Sequence, residues 1–321
     1  MKVGVVVLNY NSYVFTKRCV ESVLSAGRST DAELMVYVID NSSPAGDYSV
    51  LSETYKEKSS VRVLLSEKNL GFSNGTNFGL RVALSEGCEF LHICNPDVVL
   101  DESFYTETLS VFASRPDAGI ASGLGYHDGG NSVLDKRVLW YRGGKFHFLR
   151  SRADCIGKFS SAVGNEEVEG TFRTDFVSCA CAMVTRKCLE SVGFLDEDYC
   201  LGGEEWQLSL DARRLNFSLY VNPKAVFWHT VSVTHEKNSL RLFYIGMRTK
   251  MMFAKKNYGM LYYIWLLMFV VVGLGTAYRY SSKNKYSYRR VLVVFFRSLM
   301  DSRTVKSITF EDAIAASSVV G

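Results

Sequence analysis

In the N-terminal third of the chain, four apolar runs with the composition of β-strands each stop at a cluster of small polar or acidic residues. Helix-compatible stretches lie between them. The first run, Val3 to Leu8, is continuous and β-branched, the pattern of a strand buried on both faces of a parallel sheet. It leads into Asn9, Tyr10, Asn11 and Ser12, which cannot continue a buried strand. Phe15, Cys19, Val20, Val23 and Leu24 then recur at helical spacing up to Gly27, a stop signal. Leu34 to Ile39 reads as a second strand ending in Asp40, Asn41, Ser42 and Ser43, and Val61 to Leu65 as a third that enters a loop over Asn69–Asn77. A helix over Phe78 to Leu84 and a fourth strand up to Cys94 complete the series, which stops at Asn95-Pro96-Asp97. This alternation predicts a doubly wound α/β fold with its ligand at the carboxyl edge of the sheet.

The residues at the strand ends point to particular chemistry. A hard divalent cation takes carboxylate oxygens and shares itself with substrate phosphates, which makes Asp97 a candidate ligand. The plain alternative is that Pro96 stops the strand and Asp97 caps the next helix. Asp40 only accepts hydrogen bonds, which suits a sugar hydroxyl or a base N–H; an Asx turn with Asn41 and Ser42 is the bland reading. Gly71 and Gly75 allow the Asn69–Asn77 loop to approach a ligand closely. That loop is neither a Walker loop, since no Gly-Lys-Ser or Gly-Lys-Thr follows, nor a Gly-x-Gly-x-x-Gly fingerprint. Phosphoryl transfer from ATP and nicotinamide chemistry are therefore disfavoured.

Further along, Glu204 and Glu205 follow Gly202 and Gly203 and precede a helical stretch. A helix N-terminus favours ionised carboxylates, while their mutual repulsion raises one pKa, a suitable setting for a general base. An acidic first turn of a surface helix is the alternative. His229 ends the apolar run Val226-Phe227-Trp228, and imidazole is a competent Mn²⁺ ligand, though a lone His after a strand is more often an ordinary polar residue. Asp175 to Val184 reads as a strand on which Cys179 and Cys181 share a face, as core thiols.

Four strings together resemble a known family: Val-Val-Leu-Asn-Tyr-Asn-Ser at 6–12, Ile-Asp-Asn-Ser-Ser at 39–43, Asn-Leu-Gly-Phe-Ser-Asn-Gly-Thr-Asn-Phe-Gly at 69–79, and Asn-Pro-Asp at 95–97. They look like the family 2 inverting glycosyltransferases of the GT-A fold, and most like the rhamnosyltransferase-type branch that builds bacterial surface polysaccharides. The resemblance reaches about residue 250. It implies a donor site for a nucleotide diphosphate sugar made by Asn9, Asn11, Asp40, Asn69, Gly71, Phe72, Asn77 and Asn95. It further implies Mg²⁺ or Mn²⁺ on Asp97 and His229, with Glu205 as the base and Glu204 in support. Asn95 stands where the family often has a first acid, and Glu205 where it has Asp. dTDP-rhamnose is the favoured donor, with UDP-galactofuranose and UDP-hexoses close behind, and a glycan or polyprenyl-linked glycan is the acceptor. An inactive nucleotide-sugar-binding scaffold is the alternative.

At 321 residues and 47% hydrophobic, the chain can bury a large core, and a net charge of +4 gives no case for nucleic acid. Eight cysteines without a regular framework point to a reducing cytosol, at the cytoplasmic face of the inner membrane given the tail. Residues 1–100 read as the donor-binding half and 101–235 as the acceptor and base half, with a mobile acceptor flap over 127–172. Residues 236–321 read as a helical, apolar tail. Its run from Gly259 to Tyr280 is nearly uncharged, and Arg289, Arg290 and Arg297 follow among large apolar residues. It fits a membrane surface, a bilayer span, or a helix pair packed on the protein or on a second subunit.

Overall fold

The computed structural model describes residues 1–129, 138–161, 170–199, 201–230, 239–304 and 310–318. Residues 130–137 and 162–169 of the acceptor flap expected over 127–172 lie outside them. The alternation of side chains along β1 (Lys2–Asn9) sends Val3, Val5 and Val7 into one core and Val6 into another. Helix α1 (Tyr13–Gly27) covers the first with Cys19, Val20 and Val23. There follow β2 (Glu33–Asp40), α2 (Asp47–Tyr55), β3 (Val61–Leu65), α3 (Gly71–Ser85) and β4 (Phe90–Cys94). Leu80 and Ala83 of α3 pack in the second core. Strands β3, β2, β1 and β4 lie side by side in that order, all parallel.

The next elements are β5 (Val98–Leu100), α4 (Phe104–Ser114), β6 (Ala118–His127), β7 (Leu139–Tyr141), β8 (Gly144–His147) and β9 (Arg152–Cys155). Then come β10 (Phe172–Arg173), β11 (Cys181–Thr185), α5 (Arg186–Val192), α6 (Glu204–Arg214) and β12 (Ser218–His229). Strand β11 joins the sheet antiparallel to β4 and β6, and β12 runs parallel to β6. The C-terminal helices are α7 (Leu240–Asn257), α8 (Leu261–Asn284), α9 (Tyr288–Thr304) and α10 (Phe310–Ser318). The chain divides into two compact units. One comprises Met1–Lys145, Ala153–Leu195 and Glu205–Val233; the other comprises Phe146–Arg152, Asp196–Glu204 and Thr234–Gly321.

Two local expectations change. Helix α3 begins at Gly71 rather than near Phe78, so most of the Asn69–Asn77 segment is helical. Its glycines serve packing: a Cβ on Gly75 would lie 2.6 Å from Leu8 Cδ1, and one on Gly79 2.5 Å from Val6 Cγ1. The strand expected over 175–184 starts only at Cys181, because a turn precedes it in which Cys181 N donates to Ser178 O at 3.2 Å. Cys179 and Cys181 therefore do not share a face; they sit in different cores, buried in both cases.

The α3 contact generates a prediction. Gly79→Ala should cost about 1–3 kcal/mol through overpacking against Val6 and Ile39. The same exchange at Gly275, where a Cβ meets nothing within 4 Å, should be neutral or stabilising by up to about 1 kcal/mol. Urea unfolding of both variants checks this, and equal effects would contradict the packing account.

Candidate functional site

Strand order reverses at β1, with β2 and β3 on one side and β4 on the other, so the crevice for a ligand opens at the carboxyl ends of β1 and β4. Asn9 closes β1 and is fully buried, so its amide must be satisfied within the protein. It donates to Asp40 Oδ2 at 2.7 Å, Asp47 Oδ2 at 3.0 Å and Ser43 Oγ at 3.2 Å, and accepts from Thr16 Oγ1 at 2.6 Å. Asp47 Oδ2 also accepts from the backbone N–H groups of Ser12 (2.9 Å) and Tyr13 (3.1 Å), a negative charge at the start of α1. Asp40 is likewise fully buried and accepts from Ser43 N at 2.9 Å and Ser43 Oγ at 2.7 Å.

In this arrangement Asn9 and Asp40 build the turn, and Asn11 and Ser42 are the residues it presents. Both lie in the left-handed region, at φ 49° and 62°, where a non-glycine residue persists only if its surroundings hold it. Ser43 Oγ helps do so by accepting from Asn11 N at 3.0 Å. No local pattern in the sequence marks Asp47, a cap supplied from 35 residues away.

The second donor segment is organised by Asn41. Its Oδ1 accepts from Leu70 N at 2.8 Å, and its Nδ2 donates to Asn69 Oδ1 at 3.0 Å, while Asn69 Oδ1 also accepts from Gly71 N at 2.9 Å. Asn69, Gly71 and Phe72 are thus held together, half-buried, at the entry to α3. Gly71 supplies the positive φ of 75° that this entry requires. Asn77 is placed elsewhere. It is fully buried, and both ends of its amide bind the Leu195 backbone, donating to O at 2.8 Å and accepting from N at 3.0 Å.

Asp97 and His229 lie 132 positions apart in the sequence, and strand pairing joins them. β5 runs antiparallel to β12 with Val98 opposite His229, and Thr230 N donates to Asp97 O at 3.1 Å. His229 Nε2 is 3.0 Å from Asp97 Oδ1, and the Trp140 and imidazole rings meet T-shaped with centroids 4.3 Å apart. His229 Nδ1 and the adjacent turn's Asn95 Oδ1 are both buried with no hydrogen-bond partner among the described residues.

These donors fit a divalent cation. Neighbouring ligands at about 2.1 Å from an octahedral ion lie about 3 Å apart, the separation of Asp97 Oδ1 and His229 Nε2. The described residues contain no group of three or more His, Cys, Asp or Glu able to hold a metal. An ion on Asp97 and His229 would therefore complete its shell with ligand oxygens and water, as Mg²⁺ does with phosphates.

Two supports behind this pair leave no local mark in the sequence. Asp128, whose side chain is fully buried, accepts from Arg18 of α1 at 2.7 Å and from Thr230 Oγ1 at 3.2 Å, and its N–H donates to His229 O at 3.0 Å. Beneath Asn95, Cys19 and Cys94 approach at 3.6 Å between sulfurs, and Cys19 donates to Asn95 O at 3.4 Å. The hydrogen bond to Cys94 and burial push the Cys19 thiol well up, keeping it protonated as a donor.

Glu204 and Glu205 open α6 as expected. Gly202 and Gly203 precede them at φ 75° and 109°, and a Cβ on Gly203 would lie 2.6 Å from Thr249 Cγ2. Glu204 is buried and Glu205 half-buried, so Glu205 is the more accessible carboxylate. Burial, with the Glu205 charge among the lesser causes, pushes the Cys155 thiol up to about 12.

The sequence over residues 4–193 matches the family described as glycosyl transferase family 2. No curated protein matches the chain. Among solved structures, GalNAc-T7 with UDP, GalNAc and Mn²⁺ superposes with a TM-score of 0.58 at 13% identity, over 81% of this chain and 52% of that one. The present chain thus spans about half of GalNAc-T7. S. aureus TarS 1-349 gives a TM-score of 0.54 at 15% identity over 99% of this chain and 88% of that one. The same protein in complex with UDP-GlcNAc gives 0.50 at 16% identity, over 95% and 74%. At these identities the likeness is one of fold.

The Asn77–Leu195 clamp predicts that Asn77→Asp, which sets a carboxylate against the Leu195 carbonyl, destabilises by about 2–3 kcal/mol. The Asn77 amide is buried and taken up by Leu195 at both ends, so nucleotide affinity of the folded variant should stay near the parent value. Urea unfolding and calorimetry with UDP and dTDP separate the two effects; full stability with lost affinity would put Asn77 in the donor site instead.

Proposed function

The chain belongs to glycosyl transferase family 2, and from that membership and the Asp97–His229 pairing we propose that it transfers a sugar from a nucleotide diphosphate to a hydroxyl of a surface polysaccharide or lipid-linked glycan, with inversion. The fold is that of the GT-A glycosyltransferases. The observation that carries the reading is the meeting of Asp97 and His229 at the carboxyl edge, at a turn whose Asn95 Oδ1 is buried without a partner among the described residues, where a diphosphate would lie. Asp97 and His229, with Asn95 Oδ1, would hold Mg²⁺ or Mn²⁺, which when bound offsets the negative charge that builds on the departing nucleoside diphosphate.

The chain's own residues do the remainder. The turn carrying Asn11 and Ser42 and the Asn69–Phe72 group orient the nucleotide. Glu205 accepts the proton of the acceptor hydroxyl as its oxygen bonds to the anomeric carbon on the face opposite the leaving diphosphate. Glu204 supports it as a neighbouring charge.

The four motifs favour dTDP-rhamnose as donor. A UDP-sugar is the second reading, supported by the crystal structures of TarS with UDP-GlcNAc and of GalNAc-T7 with UDP. The proposed location is the cytoplasmic face of the membrane, where nucleotide sugars meet lipid-linked acceptors.

A thermal-shift series with dTDP-rhamnose, UDP-GlcNAc and UDP-galactofuranose, with and without Mn²⁺, tests this directly. The true donor at a hundred times its Kd should add about 2.7 kcal/mol of stability. Asp97→Asn should abolish the Mn²⁺-dependent part, and Glu205→Gln should keep the shift while lowering turnover by about two to four orders of magnitude. Normal turnover in Glu205→Gln would remove it as the base, and no Mn²⁺-dependent shift with any nucleotide sugar would defeat the reading.

A further inference from the structure

The second unit carries an apolar surface that the transfer chemistry does not use. Helix α8 buries Tyr262, Trp265, Phe269, Gly273 and Ala277, spaced at three and four residues, and Phe295 of α9 fills the notch left by Gly273. The opposite side of the helix bears Leu261, Ile264, Leu267, Met268, Val271 and Val272, each between 48% and 73% exposed. An apolar strip of this size on one helix face is a signature of a surface that something covers.

Charge says what covers it. From residue 240 to residue 300 the chain has eleven Lys and Arg and no Asp or Glu, in a protein whose net charge is only +4. Lys255 stands exposed before the strip, and Arg279, Lys283 and Lys285 stand exposed after it. Cations bracketing an apolar face match an anionic lipid surface, to which each basic residue near the headgroups adds attraction. A second copy of the same positive surface would meet like charge.

The packing of α8 decides between lying on the bilayer and crossing it. Among the described residues α8 is the one helix long and apolar enough to cross. Its middle, however, is fastened to α9: the Phe269 and Phe295 rings are 6.1 Å apart, and Phe295 lies two residues before Arg297. Arg297 Nε is 3.7 Å from Asp301 Oδ2, which also accepts from Tyr244 of α7 at 2.6 Å. A spanning α8 would draw this polar cluster towards the centre of the hydrocarbon, where charged groups are costly. A helix lying flat leaves it on the aqueous side.

We propose that α8 is a monotopic anchor. It lies in the plane of an anionic bilayer, with the Leu261–Val272 face sunk into the headgroup–acyl boundary and Lys255, Arg279, Lys283 and Lys285 on the lipid phosphates. This proposal concerns the second unit and stands independently of the transferase reading.

Flotation of the full-length protein with vesicles tests it. Binding should be strong to mixed phosphatidylcholine and phosphatidylglycerol, weak to phosphatidylcholine alone, and reduced by salt. Leu267→Asp/Val271→Asp, both exposed positions, should lower binding about tenfold or more without changing the melting temperature. Tryptophan introduced singly at Leu261, Leu267 and Val271 should be quenched to similar, shallow depth by brominated lipids. Quenching that deepens steadily from Leu261 to Val271, with resistance to carbonate extraction, would overturn the flat anchor in favour of a span. Absence of vesicle binding together with a dimer that Leu267→Asp/Val271→Asp makes monomeric would overturn it in favour of a second copy.

Discussion

A single buried asparagine governs the N-terminal half of this protein. Asn9 ends β1 and has no access to water, so every polar atom of its amide must be met by the protein. Meeting it recruits Asp40 from the end of β2, Ser43 from the turn beyond, Asp47 from the start of α2 and Thr16 from α1. The same network holds Asn11 in a conformation an isolated chain would seldom adopt. These bonds tie the strand ends together at the crevice, where an unmet polar group would be expensive.

The second half of the site is assembled by register. β12 is not a neighbour of β4, yet the three residues of β5 fold back along it, and the pairing of Val98 with His229 brings an imidazole to the Asp97 carboxylate. Asp128, fixed by Arg18 and Thr230, anchors that end of β12 to α1. A one-residue slip of β5 would turn its side chains to the other face of the sheet and carry Asp97 out of register with His229. The proposed metal and diphosphate site therefore depends on a short strand whose own burial is complete at Val98 and nearly so at Val99 and Leu100.

Much of this was legible because the strand signal is strong: runs such as Val3–Leu8 and Leu34–Ile39 have few other places to go, and the polar clusters that stop them mark the carboxyl edge. The Asn69–Asn77 segment reads as a loop because its glycines and asparagines have turn composition, which hides the helix that starts at Gly71. In the folded chain Gly75 and Gly79 make room for Leu8 and Val6, and the N–H groups at the helix entry go to Asn41 and Asn69. Strand alternation over 175–184 would set Cys179 and Cys181 on one face, but the turn at Ser178 delays the strand to Cys181. Asp47, Arg18 and Asp128 left no local trace, since each acts on a partner far away in sequence.

The central claim is that strand register places Asp97 and His229 around one divalent ion that a nucleoside diphosphate completes. Pulsed electron paramagnetic resonance of Mn²⁺ added with dTDP or UDP addresses it most directly. The account predicts a nucleotide-dependent Mn²⁺ signal with a nitrogen coupling from one imidazole, lost in His229→Ala. Tight Mn²⁺–nucleotide binding with no imidazole coupling, or coupling that survives in His229→Ala, would contradict it.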